Sequence, residues 1–337
     1  MANSKDVALA AGTSQSTVSR VFRGEPNVGP ELIARVKAAA KSLNYVPNDA
    51  ARSLLQGKTR RIALVVEKLT QPAFALMADI THDELLKRNY RVVVLESDSP
   101  GGGVRDGSRE IFSAVDGVLY CSADRTTDLT GFVEEVSKPI VLALRAGHPE
   151  TSNLVNHGVY PDHRQGVQLA VDHFWSNGHS RISLIGATPR VTGGYSTELA
   201  FVDYMRSMRL DVSDLQIGRN EMTYVGGWDS AHEFLCGPNP PTAFFATEDR
   251  SAYGAIDAVR SLGLRVPDDI GVIGFDDFDT SAWKAYDLTT IRIPYDRIIQ
   301  KAVDLLIAEI DGQRPPPGHE FVPVELIDRG SVGKLKV

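Results

Sequence analysis

The sequence predicts a small all-α head of the helix-turn-helix type followed by an α/β body of two doubly wound lobes. Three observations predict it. Two short helical runs broken by a glycine lie within residues 3–22. The first sixty residues are basic while the remainder is acidic. From Ile62 onward, short apolar runs alternate with amphipathic stretches in two successive series.

In the head, Asn3 suits a helix N-cap, with the Asp6 carboxylate three positions on beside the free N–H groups. Val7, Ala8 and Ala11 form the inner stripe of this first helix. Gly12 supplies a left-handed stop, and Ser14 caps a second helix whose apolar side is Val18, Val21 and Phe22. Such a pair of helices, crossing closely on small alanines, presents its second helix to a DNA major groove. Pro30-Glu31 opens a third helix, with Leu32, Ile33, Val36, Ala39, Ala40 and Leu43 inward and Arg35, Lys37 and Lys41 outward. A short helical run over 49–56 follows and stops at Gly57. It is too short to be stable alone, since isolated helices below about 12 residues are marginal.

Charge agrees with this division. Of 337 residues with a net charge of −7, residues 1–60 hold nine Lys/Arg against four Asp/Glu, an excess of five positive charges. The rest therefore carries −12. A basic head on an acidic body suits a partner with a phosphate backbone; a basic solvated helix kept for solubility is the bland alternative. Only two cysteines occur, Cys121 and Cys236, without metal-ligand spacing, which suits a reducing cytoplasm. No export signal and no run of membrane-spanning length is found, so the expected location is the cytoplasm.

The body's first series has buried parallel strands at 62–66, 91–95, 117–120 and 139–142, with helices near 73–88, 105–114 and 129–137. The second has helices at 163–177, 197–208, 250–262 and 295–311, and strands at 181–186, 242–246 and 270–274. Pro315-Pro316-Pro317-Gly318 turns into a final strand. Gly101-Gly102-Gly103 lacks the lysine-serine ending of a phosphate loop and reads as a loop. Ligands in doubly wound folds sit beyond the C-terminal strand ends, so the cleft between the lobes is the expected small-molecule site. Two apolar strands end there in acids, Glu248-Asp249 and Asp276-Asp277. Such carboxylates accept paired hydrogen bonds from hydroxyl-rich ligands; helix capping is the competing role for Asp249 and Asp277.

The run D-V-A-x-x-A-G-x-S-x-x-T-V-S-R at 6–20, N-Y-x-P-N at 44–48 and A-R-S-L at 51–54 closely resemble the lactose-repressor (LacI/GalR) family of bacterial transcription regulators. The resemblance covers nearly the whole chain. It implies a headpiece over 1–47, a hinge helix and linker over 48–60, and a periplasmic-binding-protein-like effector-binding and dimerisation body over 61–337. The first lobe would comprise about 61–160 and 293–318, and the second about 161–292 and 319–337. Gln15, Ser16 and Arg20 are the candidates for base contacts, and Ser14, Thr17, Ser19, Arg23 and Asn27 for phosphate contacts. Asn48, Ala51 and Leu54 of the hinge join the DNA-binding set. The resemblance gives Leu54 the role of a minor-groove wedge, with packing against the body as the alternative; Asp49 is an oddity beside phosphate.

For the effector, the resemblance favours Asp276, the Glu248 position and Asp162. Phe74 matches an aromatic able to stack on a ring or to serve the core, and Trp228 could do the same, core packing being the better reading. Two departures stand out: Thr197 replaces an arginine common in sugar-binding members, and Glu248 replaces an asparagine. Losing a fork-shaped cation and gaining a carboxylate favours a neutral or amine-bearing ligand over an acidic one. The expected whole is a homodimeric repressor on a pseudo-palindromic double-stranded operator, switched by a small molecule, a carbohydrate or related metabolite, without cofactor, metal or membrane. A two-lobed solute-binding receptor and an enzyme working in the cleft are the alternatives. No H-E-x-x-H, Cys/His cluster or serine-elbow motif supports the enzyme, and His179 sits in a structural turn.

Overall fold

The computed structural model describes residues 2–23, 26–46, 57–97, 109–121, 129–144, 154–188, 191–209 and 217–335. The hinge candidates Asn48, Ala51 and Leu54, together with Asp49 and the Gly101–Gly103 run, lie outside the described residues. The chain forms two compact units, Met1–Thr59 and Arg60–Val337.

The first unit holds α1 (Ser4–Ala10), α2 (Gln15–Arg23) and α3 (Pro30–Ser42). Asn3 Oδ1 accepts from the Lys5 and Asp6 amides, and Asp6 Oδ2 accepts from the Asn3 amide at 2.8 Å, closing a reciprocal capping box. Gly12 takes φ +59, which lets the chain reverse between α1 and α2. Val7, Ala8, Ala11, Val18, Val21, Val36, Ala39 and Ala40 form one core, with Phe22, Leu32, Ile33 and Leu43 against it. Small side chains at the crossing allow three short helices to share this core. Arg35 is exposed, as expected, and its guanidinium reaches back to donate to the Ala11 and Gly12 carbonyls at 2.5 and 3.3 Å.

Among the described residues, the second unit contains two six-stranded sheets. The first runs β11-β5-β4-β3-β1-β2, all parallel: β1 (Arg61–Val66), β2 (Arg91–Glu96), β3 (Gly117–Tyr120), β4 (Ile140–Ala143), β5 (His157–Pro161) and β11 (Gly318–Val322). The second runs β12-β10-β9-β8-β6-β7: β6 (Ile182–Ala187), β7 (Ile217–Asn220), β8 (Ala243–Ala246), β9 (Gly271–Asp276), β10 (Thr289–Arg292) and β12 (Glu325–Ile327). Only β12 pairs antiparallel. Helices α4 (Pro72–Lys87), α5 (Arg109–Ser113) and α6 (Leu129–Val136) follow first-lobe strands. Helices α7 (His163–Ser176), α8 (Thr192–Ser207), α9 (Tyr224–Leu235) and α10 (Asp249–Ser261) belong to the second. Helix α11 (Tyr295–Ile310) packs back on α4 and the first sheet.

Five of these elements go beyond the sequence reading: β5, β7, β10, β12 and α9. Four are short strands, of which Ile217-Gly-Arg-Asn and Thr289-Thr-Ile-Arg carry no apolar run. Helix α9 reads poorly because of Gly226-Gly227, and its packing on α10 explains one of them. A Cβ on Gly227 would overlap the Ser251 carbonyl, so the two helices touch backbone to backbone. The lobe boundary also moves. The second segment of the first lobe was expected to end near 318, but β11 continues beside β5 to Val322. The chain therefore crosses between lobes at Pro161–His163, Arg292–Tyr295 and Val322–Glu325.

Candidate nucleic-acid interface and ligand cleft

On the head, burying Val18 and Val21 leaves Gln15, Ser16, Ser19 and Arg20 exposed on the opposite side of α2, with Thr17 half-buried. Ser14 Oγ accepts from the Thr17 amide at 3.2 Å and lies 2.7 Å from Ser16 Oγ and 2.9 Å from Thr17 Oγ1. The cap and two hydroxyls thus form one polar cluster at the N-terminus of α2, where amide dipoles favour an anion such as phosphate. Gln15 Nε2 donates to Ser4 Oγ at 2.8 Å, which orients the amide across the helix pair. Asn27 is exposed in the turn before α3. The backbone of Arg23 ends α2.

The second candidate site lies between the lobes and spans about 930 Å³ of empty space, its open mouth included. Its lining follows from the topology. Glu67, Cys121, Leu144 and Pro161 stand at the C-terminal ends of β1, β3, β4 and β5. Glu221, Thr247 with Glu248, Asp276 and Ile293 stand at those of β7, β8, β9 and β10. The first turns of α4, α8 and α11 complete it with Gln71 to Phe74, Gly193 and Tyr295.

Of the expected effector residues, the structure brings Phe74, Glu248 and Asp276 together in this cleft. Phe74 lines the cleft and is also part of the core. The other three do not line the cleft. Asp162 caps α7, accepting from the Gln165 amide at 3.0 Å. Thr197 is buried within α8, donating to the Gly193 carbonyl. Trp228 packs against the outer core of the second lobe, because α9 turns that face toward α10.

Glu248, rather than Asp249, caps α10: its Oε1 accepts from the Ser251 amide at 2.8 Å and Ser251 Oγ at 2.9 Å. Its Oε2 accepts from Arg250 Nε at 3.1 Å. Burial raises the Glu248 pKa, with Arg250 and Ser251 opposing. Asp249 points inward and accepts from Ser281 Oγ, Thr290 Oγ1 and the Phe278 amide at 2.5, 2.6 and 2.9 Å. Burial still pushes its carboxyl up to about 7. Asp276 is raised well above the usual range by burial, then by the charges of Asp249 and Glu248. Asp276 and Asp277 both hold positive φ, +126 and +63. Such backbone persists where neighbours fix it: Tyr295 donates to Asp276, while Arg292 and Arg329 clamp Asp277 at 2.7 and 2.6 Å. Asp277 is thus an ion-pair partner and no helix cap.

Sequence reasoning missed His163, Arg250 and Thr247. His163 stacks on Phe275, ring centroids 5.4 Å apart, and its Nδ1 lies 3.0 Å from Thr197 Oγ1. Burial lowers its pKa to about 4, so the ring is neutral at pH 7. Among the described residues, His163 Nε2 and Thr247 Oγ1 are buried without a hydrogen-bond partner. Arg250 could have been suspected from its place two residues after a strand-end acid; its NH2 group donates to the Met222 carbonyl at 2.9 Å. Cys121 is buried and Cys236 exposed, both as free thiols. Among the described residues no cluster of metal-ligating side chains occurs, and no helix is long and apolar enough to cross a membrane.

Comparison with known proteins agrees with both units. Residues 4–48 match the model of bacterial regulatory proteins of the lacI family, and residues 171–332 match a periplasmic binding protein-like domain. The HTH-type transcriptional regulator MalR of Streptomyces coelicolor is 32% identical over 335 residues, covering 97% of this chain and 95% of MalR. The HTH-type transcriptional repressor PurR of Pectobacterium atrosepticum is 30% identical, covering 98% and 97%. Among solved structures, a complex of the transcriptional regulator CelR with cellobiose superposes with a TM-score of 0.72 at 26% identity, covering 98% of this chain and all of that one. The lac repressor dimer bound to operator and the anti-inducer ONPF shares the fold, with a TM-score of 0.83 at 24% identity and 99% coverage of both chains. With relatives at this identity aligned almost end to end, the chain belongs to the lacI family of bacterial regulatory proteins.

Proposed function

We propose that the chain is a homodimeric transcriptional repressor of the bacterial cytoplasm, with α2 reading an operator and the interlobe cleft holding a small-molecule effector. The observation that carries this reading is the joint presence of an exposed polar α2 face on a basic head and a strand-end cleft in the body. Gln15, Ser16 and Arg20 contact bases, while Ser14, Thr17, Ser19, Arg23 and Asn27 contact phosphates. Two-fold symmetry then calls for a pseudo-palindromic site with half-sites about one helical turn apart.

The effector is a hydroxyl-rich molecule, a carbohydrate or related metabolite, held by Glu248 and Asp276 with Phe74 against a ring face. The cleft binds its ligand without turning it over, in keeping with relatives that are regulators. Occupancy changes operator affinity by a reciprocal coupling energy, of the order of 1–3 kcal/mol.

The test is fluorescence anisotropy of the full-length protein on DNA from its own promoter region and on random duplex. Expected is a preference for the promoter, with affinity falling as salt rises by a logarithmic slope of about −0.9 per phosphate contacted. No salt-sensitive preference would overturn the reading.

A further inference from the structure

Resting on the reading of α2 as the operator-reading helix, we infer that Gln15 reads an adenine and that Ser4, on the neighbouring helix, is the positioning residue that sets this choice. Each opens its helix, Ser4 in α1 and Gln15 in α2. They stand eleven positions apart, and the reversal at Gly12 brings them together so that Gln15 Nε2 donates to Ser4 Oγ at 2.8 Å. The backbone under both ends is fixed. The Asn3–Asp6 capping box holds the first turn of α1, and Ser14 Oγ, accepting from the Thr17 amide, holds that of α2. Val7 and Val18 anchor both helices in one core. Ser4 is half-buried and Gln15 exposed, so a rigid base carries an amide that reaches solvent.

A free surface glutamine is a poor reader, because a long side chain loses much rotamer freedom when a partner orders it. A bond already made in the free head removes part of that loss before DNA arrives. The bond also fixes which polar atoms face outward. Nε2 carries two protons and gives one to Ser4, which leaves one N–H and the Oε1 carbonyl for a partner.

One donor beside one acceptor matches a single base edge in the major groove. Adenine sets its N7 acceptor next to its N6 amino donor, so N–H meets N7 and Oε1 meets N6. Guanine presents two acceptors, N7 and O6, and Oε1 would face one of them. Cytosine offers a donor alone, and thymine an acceptor beside a methyl group. The amide turned over, with Oε1 toward Ser4, would point both N–H groups outward and fit guanine instead. The tie to Ser4 therefore bears on which base is read as well as on how tightly.

The experiment is selection of a randomised duplex library by the full-length protein, with bound sequences counted to give relative affinity for each base at each position. Wild type is compared with Gln15→Ala, Ser4→Ala, Ser4→Thr and the double variant Ser4→Ala with Gln15→Ala, each checked as folded by circular dichroism. Gln15→Ala is expected to erase preference for an A·T pair in each half-site, a preference of about fivefold or more in wild type. Ser4→Ala is expected to weaken that same preference by about twofold to tenfold, the range of one neutral hydrogen bond, and to leave other positions as they were. Ser4→Thr, which keeps a hydroxyl, restores it, and Ser4→Ala has no further effect once Gln15 is replaced. A G·C pair lost with Gln15, an A·T preference indifferent to Ser4→Ala, or an equal loss at every position would each overturn the inference. Those outcomes leave the repressor reading standing, whereas a wild type that selects no sequence at all would overturn both.

Discussion

The Tyr295 hydroxyl donates to Asp276 Oδ1 at 2.7 Å, joining the first turn of α11, which packs on the first lobe, to the last residue of β9 in the second. The bond spans one of the three interlobe crossings and helps fix a backbone held at φ +126. Both groups are shifted toward their neutral forms, Tyr295 by burial and then by the Asp276 charge. Tyr295→Phe keeps the ring and removes the donor, leaving a desolvated carboxyl short of a partner. The body is expected to lose about 1–3 kcal/mol, read from urea unfolding. An unchanged midpoint would show that water replaces the hydroxyl at no cost.

Asp249 gives the body a pH signature of definite sign. Its pKa rises from 3.8 to about 7 on folding, chiefly through burial. The folded state therefore binds the proton more tightly than the unfolded one. The stability this contributes is fully present below about pH 4 and is lost as pH rises through about 7. Asp249→Asn removes the titration while weakening the bonds from Ser281 and Thr290. The stability gap between wild type and this variant is thus expected to narrow steadily from pH 4 to pH 8 in denaturant titrations. A gap constant across that range would place the ionised form in the folded protein throughout.

Which features were legible in the chain depends on where their causes lie. The head was readable because capping, turn and inner stripe are all written within 42 consecutive residues, Asn3 to Asn44. The central strands were readable because burial on both faces demands continuous apolar runs such as Ile62 to Val66. Edge strand β7 and the late strands β10 and β12 depend on neighbours contributed from elsewhere, so their own residues say little. The cleft acids Glu248 and Asp276 announce themselves as carboxylates ending apolar strands. His163 does not: its role depends on Thr197, 34 residues away on another helix, and on Phe275 beneath it. Arg35 likewise looks like a solvated cation until α1 is seen to end against it.

Arg20 lies exposed on α2, one turn beyond Ser16 and on the face opposite Val18 and Val21. If it reads a guanine edge, Arg20→Ala costs about 1–3 kcal/mol of promoter affinity and relaxes preference at one base pair of each half-site. Arg20→Lys restores charge but not the two-pronged geometry, so it is expected to recover non-specific binding and little of the specificity. Competition binding with single-base operator variants checks this. A uniform loss across all variants would make Arg20 a phosphate contact instead.

Arg35 separates stability of the head from recognition of DNA. Its guanidinium donates to two carbonyls at the end of α1, where helical groups have no partners of their own and the dipole is negative. It also fills the space beside Gly12, where an added Cβ would lie 3.2 Å from its NH2 group. Arg35→Ala leaves both carbonyls to solvent, and Arg35→Lys offers a single donor group in place of a fork. The alanine variant is expected to lower stability of the head by about 1–2 kcal/mol, close to the worth of a charge-assisted bond, with lysine intermediate. Amide hydrogen exchange in α1 and α2 reads that loss directly. Base preference among operator variants should stay as in wild type, because the α2 surface is intact whenever the head is folded. A shift in base preference without faster exchange would instead make Arg35 a direct reader and remove its role in ending α1.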